Sequence, residues 1–279
     1  MSITIFTATG CARCRIVKEF MKNENIPFTE KDIKGEGKEE FQNFYKVNRK
    51  AIIRGSEGIE FPILVENGEI RQGIGAVMAF LLAGRKLDGF FTVGSLHQEW
   101  VDGIHVSGGD PRYKEDFIQV LRLLKSKNLN LQMDTNGKNS VVLKQVLTEN
   151  LAQMVIMDIW PKRLYAQLLG EDMNINYIEE SIALIPQFSE YKFQTTILPI
   201  QRENGEISFL TPEEIMETAK YIYEVTGSKK NKYFIKPANS QDIESDIFKS
   251  LEPLTNNQLL VYRTKARVYQ VYAEIGKQS

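Results

Sequence analysis

The chain has 279 residues, 42% hydrophobic and 25% charged, which are the proportions of an ordinary globular protein with material for two cores. A net charge of -1 gives no long-range attraction to a phosphate backbone, and no apolar run approaches the ~20 residues that span a bilayer, so nucleic acid and membrane are excluded as partners. The two cysteines lie in one Cys-x-x-Cys, which excludes a secreted disulfide framework, and the first residues lack the basic start and apolar stretch of a signal peptide, so a cytoplasmic protein is expected.

A first domain is expected over residues 1–86. Residues 3–6 alternate and then run apolar as a strand does, and 7–10 break the pattern before Cys11-Ala12-Arg13-Cys14. Ile16, Val17, Phe20 and Met21 then recur at helical spacing, which places Cys11 at the start of a helix and Cys14 one turn in. The free N–H groups there, with Arg13 and Arg15, favour a thiolate on Cys11 that Cys14 can resolve. Three other readings of the pair stay open: half of a zinc site completed by His97 and His105, two inert buried cysteines, and an iron-sulfur cluster bridging two chains. Farther on, residues 27–31 read as a strand and 39–47 as a helix with Phe41, Phe44 and Tyr45 inward. A proline-opened strand follows over 61–65, then a hairpin turn at Glu66-Asn67-Gly68-Glu69 and a helix over 76–82.

Strand, Cys-x-x-Cys helix and proline-opened hairpin in this order resemble glutaredoxins and related members of the thioredoxin fold. The resemblance implies a redox-active dithiol at Cys11 and Cys14. It puts Pro62 in the place of the family's cis-proline, Phe61 where backbone is presented to substrate, and Gly73 and Gly75 where glycines flank the site, with Arg13 beside it. An edge-strand proline and plain turn glycines are the alternatives. Ala12 and Arg13 replace the proline and aromatic residue common in the family, which leaves open the reduction potential and whether glutathione is the reductant.

A second domain is expected over 87–279, after a short linker at 84–89. Strands at 104–107, 129–134, 154–158, 192–198 and 233–236 alternate with amphipathic helices, an α/β pattern that implies a parallel sheet. One helix near 211–225 opens with Thr211-Pro212-Glu213-Glu214, an N-cap, first-turn proline and capping-box glutamate. The end, 259–275, reads as a β-hairpin around 264–267. Ser107-Gly108-Gly109-Asp110-Pro111, Asp134-Thr135-Asn136-Gly137, Asp158-Ile159-Trp160-Pro161-Lys162 and Lys236-Pro237 stand at strand ends, where α/β folds place ligands.

This ordered set resembles radical SAM proteins that activate glycyl radical enzymes and anaerobic ribonucleotide reductases, with Asp110 in place of a glutamate, and implies a partial (β/α) barrel. Those proteins hold a [4Fe-4S] cluster on three cysteines spaced C-x-x-x-C-x-x-C. Here residues 94–103, with Ser95 and His97, are too short for that loop, and the two cysteines of the chain lie elsewhere. Neither a cluster nor any other metal is expected.

Three functions follow. The first is thiol-disulfide exchange with a protein disulfide or glutathione, by Cys11 and Cys14, on a client recruited by the second domain. The second is an accessory or redox-sensing factor that docks on a radical enzyme or its activase. The third is a binding protein without radical chemistry, in which Ser107, Gly108, Gly109, Asp110, Asn136 and Asp158 hold S-adenosylmethionine or a nucleotide. With no cluster to anchor it, S-adenosylmethionine is expected to bind weakly or not at all, and these residues otherwise serve as turns and caps.

Overall fold

The computed structural model describes residues 3–55, 58–95, 99–170, 173–238 and 251–276. They fall into two compact units, 1–133 with 150–153, and 134–149 with 154–279. The first unit therefore extends past the expected boundary at 86/87. The expected linker is instead a 3-10 turn, Gly84–Leu87, and Leu87 and Phe90 are both buried. The Phe90 ring stacks on Phe117 at 4.5 Å, so this segment is part of a core.

The first unit opens with β1 (Ile3–Thr7), α1 (Ala12–Asn23), β2 (Phe28–Asp32) and α2 (Lys38–Val47). A two-residue pair, β3 (Arg54–Gly55) and β4 (Gly58–Ile59), precedes β5 (Ile63–Glu66), β6 (Glu69–Gln72) and α3 (Ile74–Ala83). The sheet order is β2-β1-β5-β6, with β1 parallel to β2 and antiparallel to β5, and β5 antiparallel to β6. Glu66 faces Glu69 across a two-residue turn in which Asn67 and Gly68 both take positive φ, the geometry that matches strand twist. Phe6, Phe41, Ile52 and Ile63 form a core cluster on one side, with Phe6 and Phe41 ring centroids 5.3 Å apart. The helix α3 is buried from Ile74 to Ala79, as its lack of charged residues requires. The unit continues through β7 (Trp100–His105) and α4 (Lys114–Ser126) into β8 (Asn130–Thr135). Phe91 pairs antiparallel with Ile104 of β7 through an isolated bridge.

In the second unit α5 (Ser140–Thr148) leads to β9 (Met154–Asp158), α6 (Tyr165–Leu169), α7 (Ile175–Leu184) and β10 (Glu190–Ile197). A small antiparallel hairpin, β11 (Pro199–Gln201) and β12 (Ile207–Phe209), precedes α8 (Pro212–Thr226) and β13 (Tyr233–Pro237). In this unit the second sheet holds β14 (Ala273–Ile275), β13, β10 and β9 side by side in that order, each pair parallel. Chain order is thus kept across the sheet apart from the excursion of β11 and β12. This mixed α/β architecture is the coarse fold that the strand-helix alternation implies.

The helix α8 carries the full capping box, with the Thr211 side chain accepting from Glu214 N at 3.2 Å and Thr211 N donating to Glu214 Oε2 at 2.7 Å. The expected C-terminal hairpin is not formed. Residues 256–266 are a helix, α9 (Asn256–Ala266), and Ala273–Ile275 runs parallel to β13. A second capping box, Thr255 with Gln258, starts α9, and Leu259, Tyr262 and Ala266 form its buried stripe at helical spacing. Exposed Leu260 and Val261 interrupt that stripe in the sequence and conceal its period.

Candidate functional site

The start of α1 is built around sulfur. Cys11 is the N-cap residue, in extended backbone conformation, and its Sγ accepts from Cys14 N at 3.1 Å. The two cysteines form a disulfide with Cα atoms 5.3 Å apart. Cys14 is buried, whereas Cys11 is half-buried, so the two sulfurs differ in access as an attacking and a resolving thiol do.

The expected site residues Phe61, Pro62, Gly73 and Gly75 lie on the segment 60–75 of the first unit. Phe61 and Pro62 are joined by a cis peptide bond, the Phe61 ring lies 5.4 Å from Phe41, and the Pro62 carbonyl accepts from Gly73 N at 2.9 Å. Gly73 opens α3 with φ 83°, and a side chain there would meet the Glu60 carboxylate at 2.9 Å, so both conformation and space call for glycine. Gly75 is the second residue of α3 and faces the Phe91 ring.

Arg13 does not project into solvent. It is buried, its guanidinium pairs with Glu60 Oε1, and a second nitrogen donates to the Trp100 carbonyl. Glu60 is itself buried, and its Oε2 closes no hydrogen bond among the described residues. Burial pushes the Glu60 carboxyl up, Asp102 adds to this, and the Arg13 charge opposes it. Asp102 is held by Ser95, whose amide and hydroxyl donate to its two oxygens at 2.8 and 2.7 Å. The Ser95 at the start of the shortened loop is thus an anchor for β7, and His97 lies outside the described residues. Glu60, Asp102 and the Trp100 carbonyl were not singled out from sequence. The signal was a lone carboxylate two residues before proline, in a segment otherwise apolar.

The glycine pair at the end of β7 has a packing reason. A Cβ on Gly108 would strike the Gly89 carbonyl, and one on Gly109 would overlap the Phe90 ring. Asp110 caps the turn Pro111–Tyr113, accepting from Arg112 N at 2.9 Å and from its side chain at 2.8 Å, and these bonds hold its carboxyl below the usual range. Ser107 lies in the separate turn 106–108 that follows β7.

In the second unit, Asn136 Oδ1 accepts from Lys138 N at 3.2 Å, an ordinary turn bond. Asp158 ends β9, accepts from Gln194 Nε2 at 3.2 Å, and is pushed up to about 6 by burial and by the Asp134 charge. Lys192 and Lys236 face it with opposite charge. Lys236 stood out in the sequence with Pro237 at a strand end, whereas Lys192 did not, being one polar residue in an alternating strand.

Among the described residues no helix is long and apolar enough to cross a membrane. No protein-family model matches the chain, and no curated protein does. Among solved structures, one described as TYW1 with a lysine-pyruvate adduct bound is similar at a TM-score of 0.46 and 13% identity, over 74% of this chain. The match covers 63% of that structure's chain, less than two thirds of its length.

Proposed function

We propose that the chain is a glutaredoxin-like thiol-disulfide oxidoreductase whose second unit serves recognition rather than radical chemistry. The observation that carries this reading is the Cys11–Cys14 disulfide at the first turn of an amphipathic helix, with one sulfur half-buried and the other enclosed. The sheet order β2-β1-β5-β6 and the place of Pro62 beside it support the same reading.

In the reduced form the Cys11 thiolate, favoured by the helix dipole and by Cys14 N–H, attacks a client disulfide. One sulfur of the client leaves as thiolate and a mixed disulfide forms. Cys14 then attacks Cys11 Sγ, the client leaves with its second thiol, and the chain retains the two-electron oxidised Cys11–Cys14 bond. Two equivalents of glutathione or one dithiol restore the pair. Radical generation is no part of this proposal, because two thiolates fall short of the three that hold a site-differentiated cubane.

The test is reduction of a small mixed disulfide or of insulin by the full chain. Cys11→Ser is expected to abolish turnover, and Cys14→Ser to trap a covalent client adduct visible by mass. Full activity in both variants would sink the proposal.

One observation favours redox sensing as a second reading. Arg13, inside the Cys-x-x-Cys, is tied to Glu60 and to the Trp100 carbonyl, so a change of state at the dithiol is felt by the segment that enters β7. Capture of a partner whose affinity differs between oxidised and reduced protein, without client turnover, would select that reading.

A further inference from the structure

The second sheet carries chemistry on its inner face that the dithiol does not use. Strand alternation puts Lys192 and Gln194 of β10, Phe234 and Lys236 of β13 and Glu274 of β14 on one side. Phe193, Thr195, Tyr233, Ile235 and Ala273, between them, are fully buried on the other. Register fixes the pattern further. Asp158 of β9 stands beside Gln194, Gln194 beside Phe234 and Phe234 beside Glu274, so these four form one row across the strands. Lys192 lies one row below it, and Lys236, paired with Thr196, one row above.

The Lys192 side chain reaches toward the middle row, and Lys236 lines the same cavity. The Lys192 ammonium is 5.4 Å from the Phe234 ring centroid. Burial lowers its pKa, the Asp158 carboxylate opposes this, and the Lys236 charge lowers it further. With Ile275 and Gly276, these side chains line a cavity of about 340 Å³. Two ammonium groups around one concavity repel each other, and among the described residues no carboxylate lies within 4 Å of either. Asp158, opposite Gln194 in register and bonded to it, attracts both lysines without forming an ion pair with either. Such a constellation is stabilised by a negative group placed between the two lysines.

We propose that this face binds a small organic anion, its carboxylate or phosphate held between Lys192 and Lys236 and its body laid on the Phe234 ring. Gln194 spends one amide hydrogen on Asp158 and has a second to donate to the same oxyanion. Glu274, exposed at the mouth, disfavours a second negative group at that end and suits a ligand with a positive or neutral tail. The site lies wholly within the second unit and does not depend on the redox reading.

The test titrates the full chain with phenyl phosphate and, separately, benzoate at constant ionic strength, by calorimetry and by NMR of the Gln194 side-chain amide. The two probes share a body and differ in oxyanion, so they separate a phosphate ligand from a carboxylate one. Binding of either probe is expected, with the Gln194 signal shifting. Lys192→Gln and Lys236→Gln are each expected to weaken it about tenfold or more, Lys236→Arg to retain most of it, and Cys11→Ser to leave it unchanged. The proposal is overturned if neither probe binds, if the Gln194 signal stays fixed at saturation, or if the doubly substituted chain binds as tightly as the parent.

Discussion

Asp158 is half-buried at the end of β9, and desolvation with the Asp134 charge pushes its carboxyl up to about 6. An aspartate in an unfolded chain titrates near about 3.9, so the folded state holds this proton more tightly than the unfolded one. The resulting stabilisation is fully present below pH 4 and is lost as pH rises through about 6. Two pKa units correspond to about 3 kcal/mol as an upper value. Asp158→Asn is therefore expected to gain on the parent chain by about 1–3 kcal/mol between pH 4 and pH 7 in urea unfolding. An unchanged difference between the two proteins across that range would contradict the assignment. The residues of the dithiol were legible at this scale because Cys-x-x-Cys is local, whereas Glu60 and Asp102 meet Arg13 only through folding.

Among the elements, the turn after β7 tests whether its glycines serve packing. Gly109 leaves no space for a methyl group beside Phe90, so Gly109→Ala is expected to destabilise the chain by about 1–3 kcal/mol, read as a lower urea midpoint at unchanged slope. A neutral effect would show that the Phe90 contact does not require glycine. Elements with strong local grammar were readable in advance. The α8 box at Thr211 and the Asn67-Gly68 turn are examples, because each is decided by residues within four positions of one another. The helix α9 has the same box at Thr255 and Gln258 but was obscured by Leu260 and Val261, apolar residues that the fold leaves exposed. The start of β7 at Trp100 was hidden for another reason. Its pairing partners, Phe90 to Thr92, lie across a loop, and the register of such a pair is a long-range property.

At the scale of the whole molecule, the α/β alternation and the presence of two cores were legible from composition and period. The line between them was not, because the segment 84–133 joins the first compact unit through buried contacts at Leu87, Phe90 and Phe117 that no glycine-bounded turn announces. The inner face of the second sheet was likewise invisible, since Lys192 and Lys236 are more than forty positions apart in sequence and meet through strand register. The central claim concerns the sulfur pair, and equilibrium titration of the full chain against glutathione buffers, quenched by alkylation and read by mass, addresses it directly. The expected result is one cooperative two-electron transition with a midpoint between about -270 and about -120 mV, the range of working dithiols. A pair that stays oxidised below about -300 mV, or that never closes in oxidising buffer, would contradict the account.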